Sequence, residues 1–472
     1  MTANAIHFGT SGWRGIIADD FTFDGVRRAS AAIADHCRVR NKSPKILVGY
    51  DTRFFSEEFA RAAAGVLKAR GCEILFCDGA TPTPAIGYEI IRRKLDGGVN
   101  ITASHNPAEY NGLKFSGANG GPGLPEITHD IEERAARFPA GELDPSGEER
   151  HDHDAFETID LRKPYFARLE ELVRLDAIAE AKGEFVFDAL HGCGGGWLDR
   201  LLSERGIPLT SIRTDRDVLF DGHGPDPSDE NLAPLRKMMI EKKALAGLAT
   251  DGDADRYGIV DRDGTFIQPN HILALLFDYL IETRGWKLGA SRSVATSHLM
   301  DAVAKKHGVP VYETPVGFKY VGEFIEKDRI AIGGEESAGL TIRGHIPEKD
   351  GILACLLVAE MISTRQASIA EQRADLFRRV GREYWPIRVN LRLAAEVQGR
   401  LKEILAAEPK ELGGRGVVKV DRTDGLKLIF GGGDWVLMRP SGTEPLVRIY
   451  SESTSEATAK QLAEEARKWI NR

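Results

Sequence analysis

The sequence predicts an α/β protein: three architecturally similar α/β domains followed by a smaller C-terminal α+β domain. Three observations lead there. Short apolar runs ending in turn residues alternate with helical segments, as in parallel α/β units, and this alternation restarts twice along the chain. The segment after residue 380 changes character to strands joined by a glycine-rich hairpin and closed by one helix. The length of 472 residues accommodates three or four domains at ~150 residues each.

The elements follow in order. "KILVGYD" (45–51) reads as a strand. "SEEFARAAAGVLKARG" (56–71) reads as a helix with Ser56 at its N-cap, early acids and a terminal glycine. "CEILFCDG" (72–79) and "GGVNITASHNP" (97–107) are further strands, the second running into a loop. The polar Pro/Gly stretch "FPAGELDPSGEERHDHD" (138–154) reads as the first linker, placing one domain at 1–145 and the next at 155–265. In that second domain "EFVFDALHGCGGGWLDRLLSERG" (184–206) is strand, glycine loop and helix, and "ALAGLATDGDADRYGIVD" (244–261) is a strand and an acidic loop. A third domain at 266–375 holds the helix "HILALLFDYLIETRG", the strand and helix of "SVATSHLMDAVAKKHG", and the strand and loop of "RIAIGGEESAG". The fourth, at 380–472, contains the strands "EYWPIRVNLRL" and "LKLIFGGGDWVLMRPSGTEPLVRIYSES" and a terminal helix.

Composition narrows the partners. Sixty-three Lys and Arg against 71 Asp and Glu give a net charge of −8, which argues against a nucleic-acid or anionic-membrane surface as the main partner. An anionic substrate would then need locally concentrated positive charge. Fifty glycines exceed the ~7% average and point to tight loops where backbone approaches a ligand. The five scattered cysteines, Cys37, Cys72, Cys77, Cys193 and Cys355, form no C-x-x-C pair and read as free thiols of a reducing cytosol. The N-terminal stretch has neither basic n-region nor apolar h-region, so a cytoplasmic protein without a signal peptide is expected. "ILACLLVAEMI" is too short to span a membrane and reads as a buried helix.

Four stretches carry chemistry. In "TASHNPAEYNGLK", Ser104 follows a strand, where α/β sheets place ligands. His105 and Lys114 are near enough in sequence to move or stabilise a proton; the other reading is an Asn-Pro surface turn. In "TDGDADR", Asp251, Asp253 and Asp255 repel one another unless a cation compensates, and hard oxygen ligands suit Mg²⁺. An EF-hand is excluded because Arg256 and Arg262 stand where glycine and glutamate belong, and the signature of Asp-nucleophile phosphatases fails at Asp255. A solvated acidic loop is the alternative. In "IGGEESAG", Glu335 and Ser337 could accept and donate hydrogen bonds to sugar hydroxyls, or simply begin a helix. In "LMRPSGTEPLVRIY", Arg439, Ser441, Gly442, Thr443 and Arg448 make a phosphate clamp of hydroxyls, backbone N–H groups and guanidiniums, or a basic β-turn.

Together, and in this order, the four stretches and the opening "GTSGWRG" strongly resemble the α-D-phosphohexomutase family over essentially the whole chain. That family's fold implies mixed sheets in three α/β domains and a fourth domain around a central cleft. The resemblance implies a phosphoryl-carrying Ser104 that also ligates the metal, Asp251, Asp253 and Asp255 as Mg²⁺ ligands, and Arg256 at the transferring phosphate. It further implies Arg14 and Lys114 as basic groups near the phosphoserine, Glu335 and Ser337 as the sugar contacts, and Arg439 to Arg448 as the clamp for the other phosphate. "TPVGFKYVGEF" and "GHIPEKDG" look more like phosphoglucomutases than like the dual glucose/mannose type, which tends to have histidine at the positions of Phe318 and Gly339. From these stretches Gly317 and Lys349 join the substrate-binding set, and Lys319 and His345 are candidates for proton or phosphate duties.

The expected reaction interconverts glucose 1-phosphate and glucose 6-phosphate through hexose 1,6-bisphosphate, which is both intermediate and activator. The partners are small hexose phosphates, and the expected state is a monomer or dimer. Competing readings are a phosphomannomutase or dual mutase, a phosphoglucosamine mutase, a hexose-bisphosphate synthase, a metal-dependent sugar-phosphate phosphatase and a non-catalytic sensor.

Overall fold

Three sheets repeat one strand plan. The computed structural model describes residues 5–143, 156–441 and 446–471; residues 144–154 of the expected linker lie outside them. In the first sheet, β1 (Trp13–Ile16), β2 (Lys45–Tyr50), β3 (Glu73–Cys77), β4 (Gly97–Ile101), β5 (Tyr110–Gly117) and β6 (Glu157–Ile159) run in the order β1-β5-β4-β2-β3-β6. The second, of β7 (Phe185–Asp188), β8 (Leu209–Ile212), β9 (Ala246–Thr250), β10 (Tyr257–Asp261) and β11 (Phe266–Ile267), has the order β11-β10-β9-β7-β8. The third, of β12 (Gly289–Ser293), β13 (Val311–Thr314), β14 (Ile330–Glu335) and β15 (Gly339–Ile342), has the order β13-β12-β14-β15.

The three sheets therefore share a core of three parallel strands and an antiparallel partner that returns beside the third, β4–β5, β9–β10 and β14–β15; in the first sheet β6 adds a fourth parallel strand at the edge. The sheets are mixed for this reason. The parallel strands β2, β4 and β9 are buried almost from end to end, as expected where helices cover both faces. The loops of these three hairpins occupy equivalent places, and they carry Ser104, the three aspartates and the Glu335–Ser337 stretch.

The fourth domain is one antiparallel sheet, β16 (Trp385–Arg392), β17 (Glu411–Leu412), β18 (Arg415–Asp421), β19 (Leu426–Phe430), β20 (Trp435–Pro440) and β21 (Leu446–Ser453), in the order β16-β21-β20-β19-β18-β17. Helix Glu456–Ile470 lays Leu462, Ala466 and Ile470 on its core. The apolar helix Gly351–Arg365 packs against β9, β10 and β15 at once. It is shared by two sheets, which is why it is apolar on all sides. Among the described residues no single helix is long and apolar enough to cross a membrane. All five cysteines are free and buried.

Two local expectations change. Ser56 does not cap its helix. The helix is Ser56–Ala69 with Phe55 at the cap position in left-handed conformation, because Ser56 Oγ donates instead to Asp51 Oδ1 at 2.6 Å. Beyond the linker, β6 pairs with β3, so the first sheet takes a strand from residues read as the start of the second domain.

Candidate active site

The β4–β5 loop places Ser104 at a φ of 55°, an uncommon conformation for a non-glycine residue and one that concentrates at functional sites. Its N–H donates to Thr102 Oγ1 at 2.8 Å. Its Oγ, almost fully buried, donates to Asp251 Oδ2 of the β9–β10 loop at 2.6 Å and lies 3.4 Å from His105 Nδ1. A Cβ on Gly252 would come within 2.4 Å of the Ser104 carbonyl oxygen, so glycine at 252 is what lets these two loops meet.

Asp251, Asp253 and Asp255 are buried and offer carboxylate oxygens all within 4.8 Å of one another. Lys114 Nζ, from β5, donates to Asp253 Oδ2 at 2.5 Å and to Asp255 Oδ2 at 2.8 Å. Lys349 Nζ lies 3.2 Å from Asp255 Oδ2 and 2.8 Å from Glu348 Oε1. Thr83 Oγ1, at the start of helix Thr83–Arg93, donates to Asp253 Oδ2 and accepts from Asn100 Nδ2. Asp253 Oδ1 and Asp255 Oδ1 are buried without a hydrogen-bond partner. Two such oxygens beside a third carboxylate and a serine hydroxyl fit a small, hard divalent cation. Two other clusters of metal-ligand type exist among the described residues, His191 with Asp217 and Asp221, and Asp278 with Glu282 and His307. Neither includes a residue of the four sequence stretches.

Electrostatics divides the neighbours of Ser104 by charge state. Burial, then Arg256 and Arg14, holds His105 well below the usual imidazole range, so it is neutral at pH 7. Burial opposes the charge on Lys114, but Asp253 and Asp255 outweigh it and raise its pKa. Burial and the adjacent Asp253 and Asp255 push Asp251 well up. Burial likewise opposes Asp255, yet Lys114, Lys349 and Arg256 pull it down. Arg14 donates to Asn106 Oδ1, and burial with Arg256 lowers it to about 10. Arg256 donates its N–H to Asp251 Oδ1 at 3.0 Å, and its Nε is buried without a partner.

The β14–β15 loop follows the same plan. Glu335, the last residue of β14, accepts from the Gly317 N–H at 2.7 Å. Burial and then Glu336 raise its pKa to about 7. Ser337 is half-buried on the loop. Lys349 reaches across: its ammonium lies 5.2 Å from the Phe318 ring centre, and a Cβ on Gly339 would sit 2.2 Å from its Cδ. The two positions that separate the mutase sub-groups by resemblance, 318 and 339, thus both shape the path of Lys349.

In the fourth domain Arg439 and Arg448 stand directly opposite each other on β20 and β21, a like-charge pair that a phosphate would relieve. Arg439 Nε donates to Asp424 Oδ2 at 2.8 Å, and the same oxygen accepts from the Val316 N–H at 3.0 Å, next to Gly317. Ser441 N–H donates to the Leu446 carbonyl at 2.9 Å across the hairpin. Gly442 and Thr443 lie outside the described residues. The domain docks on the third through Val294, Ala295, Trp435, Leu437 and Tyr450. Inside that contact Lys427 Nζ donates to the Val294 carbonyl at 2.7 Å, lies 3.0 Å from His298 Nε2 and sits 4.2 Å from the Trp435 ring centre.

Two expected residues are not brought to Ser104. His345 has a fully buried side chain, with Nε2 2.7 Å from Asp350 Oδ2, which also accepts from Tyr165 Oη at 2.7 Å. Asp350 caps helix Gly351–Arg365 through the Leu353 N–H, so His345 belongs to the helix cap. Lys319 is half-buried with its ammonium 5.4 Å from the Tyr320 ring centre, and among the described residues it makes no hydrogen bond or ion pair with another site residue. Sequence reasoning missed Arg53, Thr83 and Asp424. Arg53 carried a signal, an "Asp-x-Arg" directly after an apolar strand, in the place where an α/β sheet presents a loop to its neighbour. An open cavity of about 560 Å³ lies by Phe377, Gly381 and Trp385 and is lined by none of these residues.

Residues 5–140, 163–264, 268–380 and 389–468 match, in order, domains I, II and III and the C-terminal domain of phosphoglucomutase/phosphomannomutase. A phosphoglucomutase/phosphomannomutase of Thermococcus kodakarensis is 33% identical over 461 residues, covering 97% of this chain and 96% of the relative. The chain belongs to the α-D-phosphohexomutase family. Other phosphohexomutase relatives differ in the sugar they are named for. A phosphoglucomutase of Komagataeibacter xylinus is 31% identical, with 100% of this chain and 92% of the relative covered. A provisionally named phosphoglucosamine mutase of Thermococcus gammatolerans is 32% identical with 98% of each covered. The solved structure of a provisionally named phosphomannomutase of Thermus thermophilus superposes with a TM-score of 0.87 at 34% identity, with both chains fully covered. Family membership makes this chain a mutase-type enzyme; the sugar is a separate question.

Proposed function

We propose that this phosphohexomutase interconverts glucose 1-phosphate and glucose 6-phosphate, with Ser104 carrying the phosphoryl group. The observation that carries the reading is the Ser104 hydroxyl 2.6 Å from Asp251, within a buried set of carboxylates. The three aspartates, with Ser104, would hold Mg²⁺. When bound, that ion supplies charge neutralisation at the phosphoryl oxygens.

The protein's own charges are consistent with this. Asp251, Asp253 and Asp255 are matched by Lys114, Lys349 and Arg256. A phosphoserine dianion and a divalent cation can then enter together without net charge. In the first half-reaction O6 of glucose 1-phosphate attacks the phosphorus, Ser104 Oγ leaves, and the O6 proton passes to a base. His105, held neutral by burial, is the candidate for that base. Lys114, held charged by two aspartates, suits stabilising the departing Oγ. The resulting glucose 1,6-bisphosphate turns over in the cleft, and its 1-phosphoryl group returns to Ser104. Glu335 would hold two adjacent ring hydroxyls in both orientations, and Arg439, Ser441 and Arg448 would clamp the phosphate that is not being transferred.

Glucose is favoured over mannose on resemblance, because Phe318 and Gly339 stand where the dual glucose/mannose type tends to carry histidine; histidine at 339 would also displace Lys349. The test is a coupled assay on glucose 1-phosphate, mannose 1-phosphate and glucosamine 1-phosphate, with Mg²⁺ and a trace of glucose 1,6-bisphosphate. Preference for glucose 1-phosphate supports the reading; inorganic phosphate as the main product rejects a mutase altogether.

Two predictions arise here. A carboxylate must accept the sugar hydroxyls, and burial with Glu336 pushes Glu335 up to about 7. KM should therefore fall as pH rises from 6 to 8, and Glu335→Gln should raise KM and flatten this dependence. The same upward shift means that the folded state binds an extra proton between the unfolded pKa, ~4.3, and 7. Thermal stability without substrate should thus drop across that window in wild type, and less in the variant. A flat KM profile in wild type would remove Glu335 from sugar binding. Separately, Arg448→Ala should raise KM and release glucose 1,6-bisphosphate into solution, because the clamp's phosphate contact rewards closure of the fourth domain. An unchanged KM with no released bisphosphate contradicts a closing role.

A further inference from the structure

We propose that Arg53 is the positioning residue of the Ser104 loop, holding the backbone that aims Oγ at Asp251. This rests on the reading of Ser104 as the phosphoryl carrier. Arg53 lies three residues beyond β2, and its side chain is completely buried. Nη1 donates to the carbonyls of Pro107 at 2.8 Å and Tyr110 at 3.0 Å. Nη2 donates to those of Ser104 and Asn106, both at 2.6 Å. Nε lies 3.2 Å from Asp51 Oδ2. One planar fork therefore fixes four carbonyls of a single loop. A lysine, with three rotatable donors on a tetrahedral nitrogen, cannot reproduce that pattern.

The loop needs such a constraint. Ser104 sits at positive φ, and the loop's own turns contribute Asn106 N–H to Ala103 and Tyr110 N–H to Pro107, both at 3.1 Å. In a planar trans peptide the carbonyl and the next N–H point in opposite directions. Fixing the Ser104 carbonyl toward Arg53 thus turns the His105 N–H away from it, and sets the chain on either side of Oγ.

Arg53 is in turn held by the second domain. The Phe220 ring centre lies 5.1 Å from the guanidinium. Arg216 donates to the carbonyls of Thr52 at 2.9 Å and Arg53 at 3.1 Å, and Thr52 Oγ1 donates to the His191 carbonyl at 2.8 Å. The other two domains support their hairpin loops from the equivalent place, the C-terminal end of the first parallel strand or the loop after it. There Cys193 N–H donates to the Gly252 carbonyl at 2.9 Å, and Ser293 Oγ donates to Glu336 Oε2 at 2.9 Å. Arg53 is the charged form of a device the fold uses three times.

The test uses the full-length protein. Dephosphorylated wild type, Arg53→Lys and Arg216→Ala are mixed with glucose 1,6-bisphosphate and Mg²⁺, and phosphoryl uptake on Ser104 is followed by intact mass alongside steady-state kinetics. Arg53→Lys should slow uptake and kcat together by ~10²-fold, the cost of an ångström-scale misplacement, with KM within about threefold. Arg216→Ala should give the same split at about a tenth of the size. A purely structural role would lower the active fraction and the melting temperature without slowing uptake in the folded molecules. If Arg53→Lys fails to fold, Arg216→Ala decides: reduced kcat at constant KM supports the proposal, and wild-type kcat overturns it. Wild-type uptake in folded Arg53→Lys also overturns it. If wild type itself takes no phosphoryl group, the phosphoserine reading fails and the proposal with it.

Discussion

Ser104→Ala is expected to abolish turnover, lowering kcat by on the order of 10³-fold or more, as loss of a nucleophile does. The hydroxyl is the group that must carry the phosphoryl between the two halves of the reaction, and alanine offers no substitute. The fold should survive. The Ser104 side chain contributes a hydrogen bond to Asp251 and a longer one to His105, and its loop is held by backbone contacts that alanine retains. The same variant should take no phosphoryl group from glucose 1,6-bisphosphate, as read by intact mass. Mutase activity surviving the substitution would move the chemistry off this serine.

The second large effect is expected at the metal. Asp253→Asn removes one charge from the buried set and replaces a carboxylate oxygen by an amide nitrogen that cannot ligate. It also removes half of the ion pairing of Lys114. Binding of Mg²⁺, or of Mn²⁺ as a spectroscopic probe, should weaken by at least ~100-fold, the upper end of what losing an outer-shell partner costs. Activity should fall in parallel and be partly restored by raised metal concentration. Chelation of wild type should reproduce the loss reversibly. Unchanged Mn²⁺ affinity in Asp253→Asn would mean that the aspartates serve Lys114 and Lys349 alone.

Much of this was legible in the sequence because the chemistry is concentrated in contiguous loops. "TASHNP", "TDGDADR" and "IGGEES" each place polar residues at the end of an apolar strand, where the structure brings them into neighbouring hairpin loops, and the strand–helix alternation gives the layered architecture. What stayed hidden depends on partners distant in sequence. Arg53 acts on backbone carbonyls more than fifty residues away, and a carbonyl leaves no trace in the residue alphabet. His345 and Lys319 sit beside motif residues and shared their credit, but a cap at Asp350 and a ring at Tyr320 claim them. Strand β6 has three residues, two of them exposed, and offers no apolar run to recognise. Ser56 has the right type for an N-cap, and a neighbouring carboxylate took it.

Lys427 stands between Leu426 and Leu428 on β19. Its burial between the third and fourth domains puts a charge into an otherwise apolar seam. Dehydration, and then Arg292, pulls its pKa down to about 8, so near neutral pH the docked lid shelters an ammonium that water would hold more comfortably. If the fourth domain closes over a bisphosphate as proposed above, this seam would part more readily than a wholly apolar one, and the time the intermediate is held would depend on this lysine as well as on the grip of Arg439 and Arg448 on phosphate.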